Sequence, residues 1–287
     1  MDFPTRSPGP PESSGPADHG LFGPGSVTWR IMAEPVMWVA GLRALYLQAL
    51  HPDTMRGTWQ NTSFTDRSQA WDRFIRTTEF VRVRTFGSTA EVERVGRRLR
   101  KIHASLTGVD SRGRQFRLNQ PDLLLWVHCG EIDSYADIAR RSGVPVTRAE
   151  LDMFVDEQRR SAAVVGLDPA TVPASMADLR AYYDEVRPRL HATPEARRAL
   201  RMSFTPRVPT ELLPLRLVVP PLNTLAFASL PRWGRRLYGT PGSPLTDAAA
   251  TAALLTARQS MVHLPRQVIE IPLGRVVSAR LRPAATS

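Results

Sequence analysis

Two groups of residues have types and spacing that suit chemistry at a site. In the first, Arg73, Arg76 and Thr77 recur at positions i, i+3 and i+4 of a predicted helix and therefore share one face, which Phe80 continues. Two guanidinium groups and a hydroxyl on one face are suited to bind carboxylates or to hold a bound oxygen species. A basic face that is simply solvated fits the same spacing, so the residues alone leave both interpretations open.

The second group centres on His103. An apolar seam runs beside it, made of Leu99, Ile102 and Leu106. Arg100 lies one turn earlier on the same face, and Gly96, two turns earlier, would let a flat ligand approach the helix closely. A neutral imidazole fixed on a helix against apolar walls is what a proximal haem ligand requires. A core histidine with satisfied hydrogen bonds is the alternative.

Three further residues invite a chemical interpretation. His128 lies on an apolar helix, three residues before Glu131, whose carboxylate could accept the second ring N–H and fix the tautomer. A structural hydrogen bond inside the core is the other interpretation of His128. His51, just before Pro52, is expected to cap a helix end. Cys129 is expected to be an inert core thiol, and as the only cysteine it excludes an intramolecular disulfide framework.

Several common catalytic motifs are missing from the sequence. It contains no G-x-S-x-G nucleophile elbow, no Walker A loop, no G-x-G-x-x-G fingerprint and no H-E-x-x-H pair. The Glu-x-x-His pairs of di-iron bundles are also absent. Histidine and arginine are therefore the remaining candidates for chemistry.

The elements that must position these residues are predicted to be helices. The predicted helices run from Ser26 to Leu50 with a bend near Pro35, from an Asp66 cap to about Val83, from Gly87 to a stop at Gly108, from near Asn119 with Pro121 in its first turn, and over 148–165, 176–186, 194–203 and 248–262. An apolar segment, 215–230, is expected to pack on the body. No alternating strand series is visible. The sequence therefore predicts an all-α single domain.

The excess of arginine in the amino-acid composition suggests a second possible function, the binding of an anionic partner. The 287 residues include 38 Lys+Arg and 27 Asp+Glu, for a net charge of +11, and Lys101 is the only lysine. A compositional bias towards arginine and a demand for guanidinium chemistry both explain this excess. The arginine-rich stretch 94–101 would suit a non-catalytic module that binds nucleic acid or an anionic membrane surface. No helix-turn-helix or aromatic RNA-binding signature supports specific nucleic-acid binding.

The N-terminal residues and the most apolar stretch of the sequence bear on where in the cell the protein is located. Residues 1–20 are rich in Pro, Gly and Ser, as in a disordered arm, and lack a secretory signal, so a cytoplasmic location is expected. The stretch 35–50 is too short for a confident bilayer span and is interrupted by Arg43, although peripheral membrane contact is left open.

Several stretches resemble the MpaB-like oxygenases, whose catalytic domain is shared with rubber oxygenase, the latex clearing protein. They are GPGSVTWRIMAEPVMWVAGLRALYLQALHP (23–52), DRFIRTTEFVRVRTFGS (72–88), RRLRKIHASLTG (97–108), NQPDLLLWVHCGEIDSY (119–135) and the weaker FVDEQRRSAAVVGLDPATVP (154–173). The resemblance implies a catalytic domain over 21–240, between the arm over 1–20, whose composition predicts disorder, and a C-terminal helix and tail over 241–287 that are expected to pack on the same domain. It also implies an all-α fold with a globin-like core that encloses haem b.

The resemblance gives individual residues a role. The family pattern Arg-x-x-His-Ala is similar to Arg100, His103 and Ala104, which implies that His103 is the axial iron ligand. The pattern Arg-x-x-Lys-Thr is similar to Arg73, Arg76 and Thr77, which implies that this face lines the distal pocket. Trp126, Val127 and His128 follow the MpaB-like branch and leave His128 as a second pocket candidate. Arg100 and Gly96 would then contact the cofactor.

Two departures from the family pattern are informative. Arg76 stands where rubber oxygenase has a lysine, and a protonated guanidinium cannot ligate iron. The sixth position is therefore expected to be open, water-filled or closed by another group. No carboxylate precedes Arg73 at the spacing of the catalytic glutamate, where Gly57 and Thr58 lie.

The resulting interpretation is a haem-b oxidoreductase that uses dioxygen or peroxide to oxidise a hydrophobic small molecule. The missing glutamate argues for an oxidation or a substrate different from the double-bond cleavage of polyisoprene. A basic binding module is the alternative, and a member of the family that keeps the fold without the cofactor is a third possibility.

Overall fold

Most of the helices begin where the sequence supplies a capping side chain or a proline. In the computed structural model, which describes residues 18–62, 67–204 and 215–263, the helices are α1 (Val27–Met32), α2 (Met37–Gln48), α3 (Pro52–Gln60), α4 (Arg67–Phe86), α5 (Thr89–Ser105), α6 (Pro121–Arg141), α7 (Arg148–Val165), α8 (Met176–Val186), α9 (Pro194–Phe204), α10 (Leu215–Ala228), α11 (Arg232–Leu237) and α12 (Pro244–Val262). Ser88 with Glu91 and Thr147 with Glu150 form reciprocal capping boxes that fix the starts of α5 and α7. The predicted all-α class is confirmed.

Helix α6 lies at the centre of the domain and packs most extensively against α2. Trp126 is fully buried between them and donates its indole N–H to the backbone oxygen of Gln48 at 2.8 Å. The side-chain amide of Gln48 donates in return to the backbone oxygen of Val127, also at 2.8 Å. This reciprocal pair satisfies polar groups inside an apolar contact and fixes the register of the two helices.

Helices α7 and α8 lie where they were predicted, since both have local start and stop signals. The segment predicted as one bent helix from residue 26 to residue 50 forms two helices instead, α1 and α2, separated by a turn that contains Pro35. Pro35 lacks a backbone N–H and disfavours helical geometry in the residue before it, so it separates the two helices. The Asp66 cap lies outside the described residues, and α4 continues to Phe86.

The prediction that Gly108 stops the helix after Gly87 is wrong. Helix α5 ends at Ser105, Leu106 is extended, and Gly108 lies in strand β1 (Thr107–Val109). Strand β1 pairs antiparallel with β2 (Gln115–Arg117), and Gly108 is opposite Phe116. A Cβ at Gly108 would lie 2.5 Å from the Phe116 ring, so the glycine makes room for the aromatic side chain across the hairpin.

Three helices, α3, α10 and α11, were not predicted. Helix α3 starts at Pro52, and His51 is its N-cap, with Nδ1 accepting from the backbone N–H of Thr54 at 3.4 Å. His51 therefore caps a helix start, where an acceptor is needed, rather than a helix end. Helix α11 follows the apolar 215–230 segment, of which α10 packs against α2, as expected.

The N-terminal segment is described from Asp18 onward, and residues 1–17 of the predicted arm lie outside the described part. The Asp18 carboxylate accepts from the backbone N–H of Thr89 at 2.9 Å, at the start of α5. Phe22 is buried against the body, with Arg160 over its ring. None of the described helices is both long enough and apolar enough to span a membrane.

Candidate functional site

The structure brings the two groups of candidate residues together, because α4 packs against α5. Arg73 on α4 is close enough to His103 on α5 for its charge to lower the pKa of the imidazole, although burial of the ring has the larger effect. Arg73 is itself fixed by donation from Nη1 to the hydroxyl of Thr62 at 2.5 Å. His103 is therefore a neutral imidazole beside a guanidinium held in place.

His103 has an unusual hydrogen-bonding state for a half-buried histidine. Its Nδ1 is inaccessible to solvent and has no hydrogen-bond partner in the described part of the chain. Buried polar atoms without a partner are uncommon and costly. The alternative of a core histidine with satisfied hydrogen bonds does not describe this nitrogen. The predicted apolar seam beside the ring is incomplete, since Ile102 is 43% exposed.

Arg76 and Thr77 complete the group on α4, and both are exposed. The Thr77 hydroxyl donates to the backbone oxygen of Arg73 at 3.0 Å, so its hydrogen is used within the helix and its lone pairs remain available. The pKa of Arg73 is lowered, first by burial and then by the charge of Arg76. Two guanidinium groups thus lie near one another, and that of Arg73 lies near His103.

Arg100 and Gly96 contact α7. Arg100 donates from Nη1 to the backbone oxygen of Val164 at 2.7 Å. A Cβ at Gly96 would lie 2.8 Å from Val164 Cγ1 and 3.2 Å from the Val164 backbone oxygen. The space in front of Gly96 is therefore filled by α7, which differs from the predicted approach of a flat ligand. Both residues hold α5 against α7 and thereby set the position of His103.

His128 belongs to a separate buried group. Its Nε2 has no hydrogen-bond partner among the described residues, and burial lowers the pKa of His128 to about 4. The expected hydrogen bond between His128 and Glu131 is wrong as a pairing, because both oxygens of Glu131 accept from Arg84 instead. A guanidinium offers two parallel donors that match a carboxylate better than one imidazole N–H does.

Sequence analysis missed Arg84, although a signal for it was available. Arg84 lies four residues after Phe80 and seven after Thr77, so it continues the face of α4 that carries Arg73. Its guanidinium stacks on the Phe80 ring with the carbon 5.5 Å from the centroid. The partner on α6 had no such signal, because it is 47 residues away.

The remaining predicted features lie as follows. Cys129 is fully buried, and burial raises the pKa of its thiol, so it stays protonated and unreactive. Arg94, Arg98 and Lys101 of the basic stretch are exposed on α5. Within the described residues, no group of three or more His, Cys, Asp or Glu side chains is placed to hold a metal ion.

One comparison with known proteins bears on this site. Residues 29–259 match the model of a family described as "ER-bound oxygenase mpaB/B'/Rubber oxygenase, catalytic domain". This chain belongs to that family. The matched region contains the α4 face, His103 and His128, and it continues past residue 240 into α12. No curated protein and no solved structure matched the chain.

Membership of the family identifies an oxygenase catalytic domain. An oxygenase needs a centre at which an oxidant is activated and a pocket that holds the substrate beside it. At this site the described residues place the neutral imidazole of His103, with its unpaired buried nitrogen, beside the guanidinium group of Arg73, and Arg76 is a neighbour of Arg73.

Proposed function

We propose that this protein is a haem-b-dependent oxygenase that oxidises a hydrophobic small molecule, and that His103 would hold the haem iron. The observation that carries the proposal is the neutral, half-buried imidazole of His103, whose Nδ1 lacks a partner, beside the fixed guanidinium of Arg73. A single such histidine can hold a haem iron, because the porphyrin supplies the other four ligands. Membership of an oxygenase family supports the same conclusion.

The residues fit this cofactor in charge as well as in ligand type. When bound, haem b would supply an iron centre able to activate dioxygen or peroxide. Arg73 and Arg76 supply positive charge that suits the propionates of the cofactor or an oxygen-bearing ligand. Burial of the ring and then the charge of Arg73 lower the pKa of His103, which favours the neutral form that a metal ligand must have.

The face of α4 that carries Arg73, Arg76 and Thr77 can orient a bound molecule by hydrogen bonds. Arg73 is fixed by Thr62, so its remaining N–H groups have a defined direction and can donate hydrogen bonds to oxygen atoms in the pocket. The guanidinium group of Arg76 offers N–H donors and no acceptor, so it acts as a donor only. The Thr77 hydroxyl, whose hydrogen is used by the Arg73 carbonyl, offers an acceptor.

Arg100 and Gly96 fix the position of helix α5. The bond from Arg100 to Val164 and the close approach at Gly96 fix α5 on α7, so His103 is presented on a rigid element. His128 is a second pocket candidate, and its neutral ring can donate or accept a single hydrogen bond without bringing charge into the interior.

A substrate other than polyisoprene is favoured by two positions. Gly57 and Thr58 lie where rubber oxygenase carries its glutamate, and Gly57 packs beneath Leu118, whose Cδ1 would be 2.9 Å from an added Cβ. A carboxylate side chain would not fit there without movement of Leu118. Arg76 in place of lysine likewise removes an amine that could ligate iron.

The test is the visible spectrum of the purified protein, ferric and dithionite-reduced. The wild type should show a Soret band, and His103→Ala should lose it or shift it to the spectrum of a differently ligated haem. His191→Ala is the matched control, because His191 is exposed. Retention of haem with unchanged axial spectra in His103→Ala, or a wild type that binds no haem on reconstitution, would reject the proposal.

A further inference from the structure

A cleft lies on the side of α6 that faces α8. Its volume is about 680 Å³, within the range of roughly 300–1,000 Å³ that small-molecule sites occupy. It is lined by His51, the first turn of α6, Arg159, segment 170–174 and one face of α8. None of the residues proposed to hold haem lines it, so it is separate from the site at His103. We call it the α8 cleft.

Two polar groups at one end of the α8 cleft have no hydrogen-bond or ion-pair partner among the described residues. Asp122 has no ion pair or hydrogen bond to any other described residue, and the same is true of the Tyr182 hydroxyl. Burial raises the pKa of Tyr182, so its phenol keeps its proton and can both donate and accept. A carboxylate and a phenol therefore face the cleft with free hydrogen-bonding capacity.

His51 contributes a donor to the same end. Its Nδ1 accepts the backbone N–H of Thr54, so the neutral ring carries its proton on Nε2. Burial lowers the pKa of His51, which keeps the ring neutral. An Nε2 that carries a proton is a hydrogen-bond donor and not a metal ligand, so this cleft is not a second haem site by way of His51.

The charges around the cleft favour a cation over an anion. Arg159 donates to the Pro169 carbonyl at 2.8 Å and pairs with Asp156 at 3.1 Å. Arg189 lies 4.0 Å from Glu185. Both guanidinium groups that line the cleft thus have acidic partners within the chain. The carboxylate of Asp122, exposed in the first turn of α6, has no ion-pair partner among the described residues.

The remaining lining is apolar and suits a hydrocarbon body. Leu125, Val172 and Val186 line the cleft, and Val172 and Val186 are buried. A ligand that places a charged group against Asp122 and Tyr182 would lay its body on these side chains. We propose that the α8 cleft is a second small-molecule site, which binds an amphipathic organic cation: a protonated amine on an apolar body.

The test measures binding of three probes of similar shape and different charge to the full-length protein. They are 2-phenylethylamine, which is protonated at neutral pH, 2-phenylethanol, which is neutral, and 3-phenylpropionate, which is an anion. Calorimetry and saturation-transfer NMR should show saturable binding of the amine, with the alcohol and the acid weaker by about tenfold or more, as loss of a charge-assisted contact implies.

Variants locate that binding. Asp122→Asn should weaken binding of the amine by about tenfold while leaving binding of the alcohol unchanged. Asp184→Asn, at an exposed acid on α8 outside the cleft, is its control. Ala181→Trp should plug the cleft and abolish binding, because Ala181 lines it, whereas Ala177→Trp on the same helix lies outside the lining and should bind normally. Far-UV circular dichroism checks that each variant folds.

Several outcomes would overturn the proposal. These are no saturable binding of the amine, equal binding of the amine and the alcohol, preference for the anion, or unchanged binding in folded Asp122→Asn or Ala181→Trp. None of these outcomes depends on haem, so the test is independent of the proposed oxygenase function.

Discussion

Arg84 binds Glu131 through both terminal nitrogens of its guanidinium group, and the pair joins α4 to α6 in the interior. The Arg84 side chain is only 5% exposed. Its Nε and the Nε2 of nearby His128 are buried without partners among the described residues. The cluster therefore holds one compensated charge pair and one imidazole that must remain neutral.

Breaking this pair should be costly. Glu131→Gln leaves the guanidinium buried without a counter-charge and should lower the free energy of unfolding by about 3–5 kcal/mol in urea titrations. The double variant Arg84→Met, Glu131→Met should lose less than the single variant, because no charge remains to be compensated. Glu79→Gln is the matched control, since Glu79 pairs with exposed Arg82 on the same helix and should lose at most about 1 kcal/mol. Similar losses in Glu131→Gln and Glu79→Gln would contradict the buried pair.

Stability should fall in mild acid because of His128. Its pKa is about 4 in the folded protein and 6.5 as the reference value, so the unfolded chain binds more protons between these values. Stability from the neutral ring is complete above pH 6.5 and is lost as the pH falls towards 4, by up to about 3 kcal/mol. Urea titrations across this range should show a shallower pH dependence for His128→Gln than for the wild type. His191→Gln, at an exposed position, should keep the wild-type dependence; an identical slope in His128→Gln would show that the ring does not titrate this way.

Gly96 and Gly41 make a matched pair of helical glycines. A Cβ at Gly96 would lie 2.8 Å from Val164 Cγ1, so Gly96→Ala should lower the free energy of unfolding by about 1–3 kcal/mol through overpacking. At Gly41 the nearest atom is the Tyr135 hydroxyl at 3.7 Å, so Gly41→Ala should gain up to about 1 kcal/mol from helix propensity. Thermal unfolding of protein free of haem measures both. If Gly96→Ala kept full stability and lost only haem affinity, the glycine would be needed for the approach of the cofactor and not for packing against α7.

The side chain at position 76 should determine whether the iron of the proposed haem gains an amine ligand. Wild-type ferric protein should not show the low-spin spectrum of an amine-ligated haem, because a guanidinium group has no lone pair to offer the iron. Arg76→Lys restores the residue type of rubber oxygenase and should shift the ferric spectrum towards low spin, increasingly as the pH rises and the amine loses its proton. Arg98→Lys, on the exposed basic face of α5, should leave the spectrum unchanged. An unchanged spectrum in Arg76→Lys at alkaline pH would place position 76 away from the iron.

Features set by neighbours along the chain were predicted from the sequence. The bounds of α7 and α8 were correct because a Thr147 or Ser175 cap and a following glycine or proline act within one or two turns. The shared face of Arg73, Arg76 and Thr77 follows from helical periodicity alone. The likeness of these residues and of His103 to a family pattern gave the family, which the match over residues 29–259 confirmed.

Only the tertiary structure decided which residues meet. It paired Glu131 with Arg84 in place of His128, filled the space at Gly96 with Val164, and turned residues 107–117 into a hairpin. It also opened the α8 cleft, whose lining comes from segments as far apart as His51 and Arg189. Helical spacing determines which side chains share a face, but the partner of that face is chosen by packing between distant segments, which local periodicity does not encode.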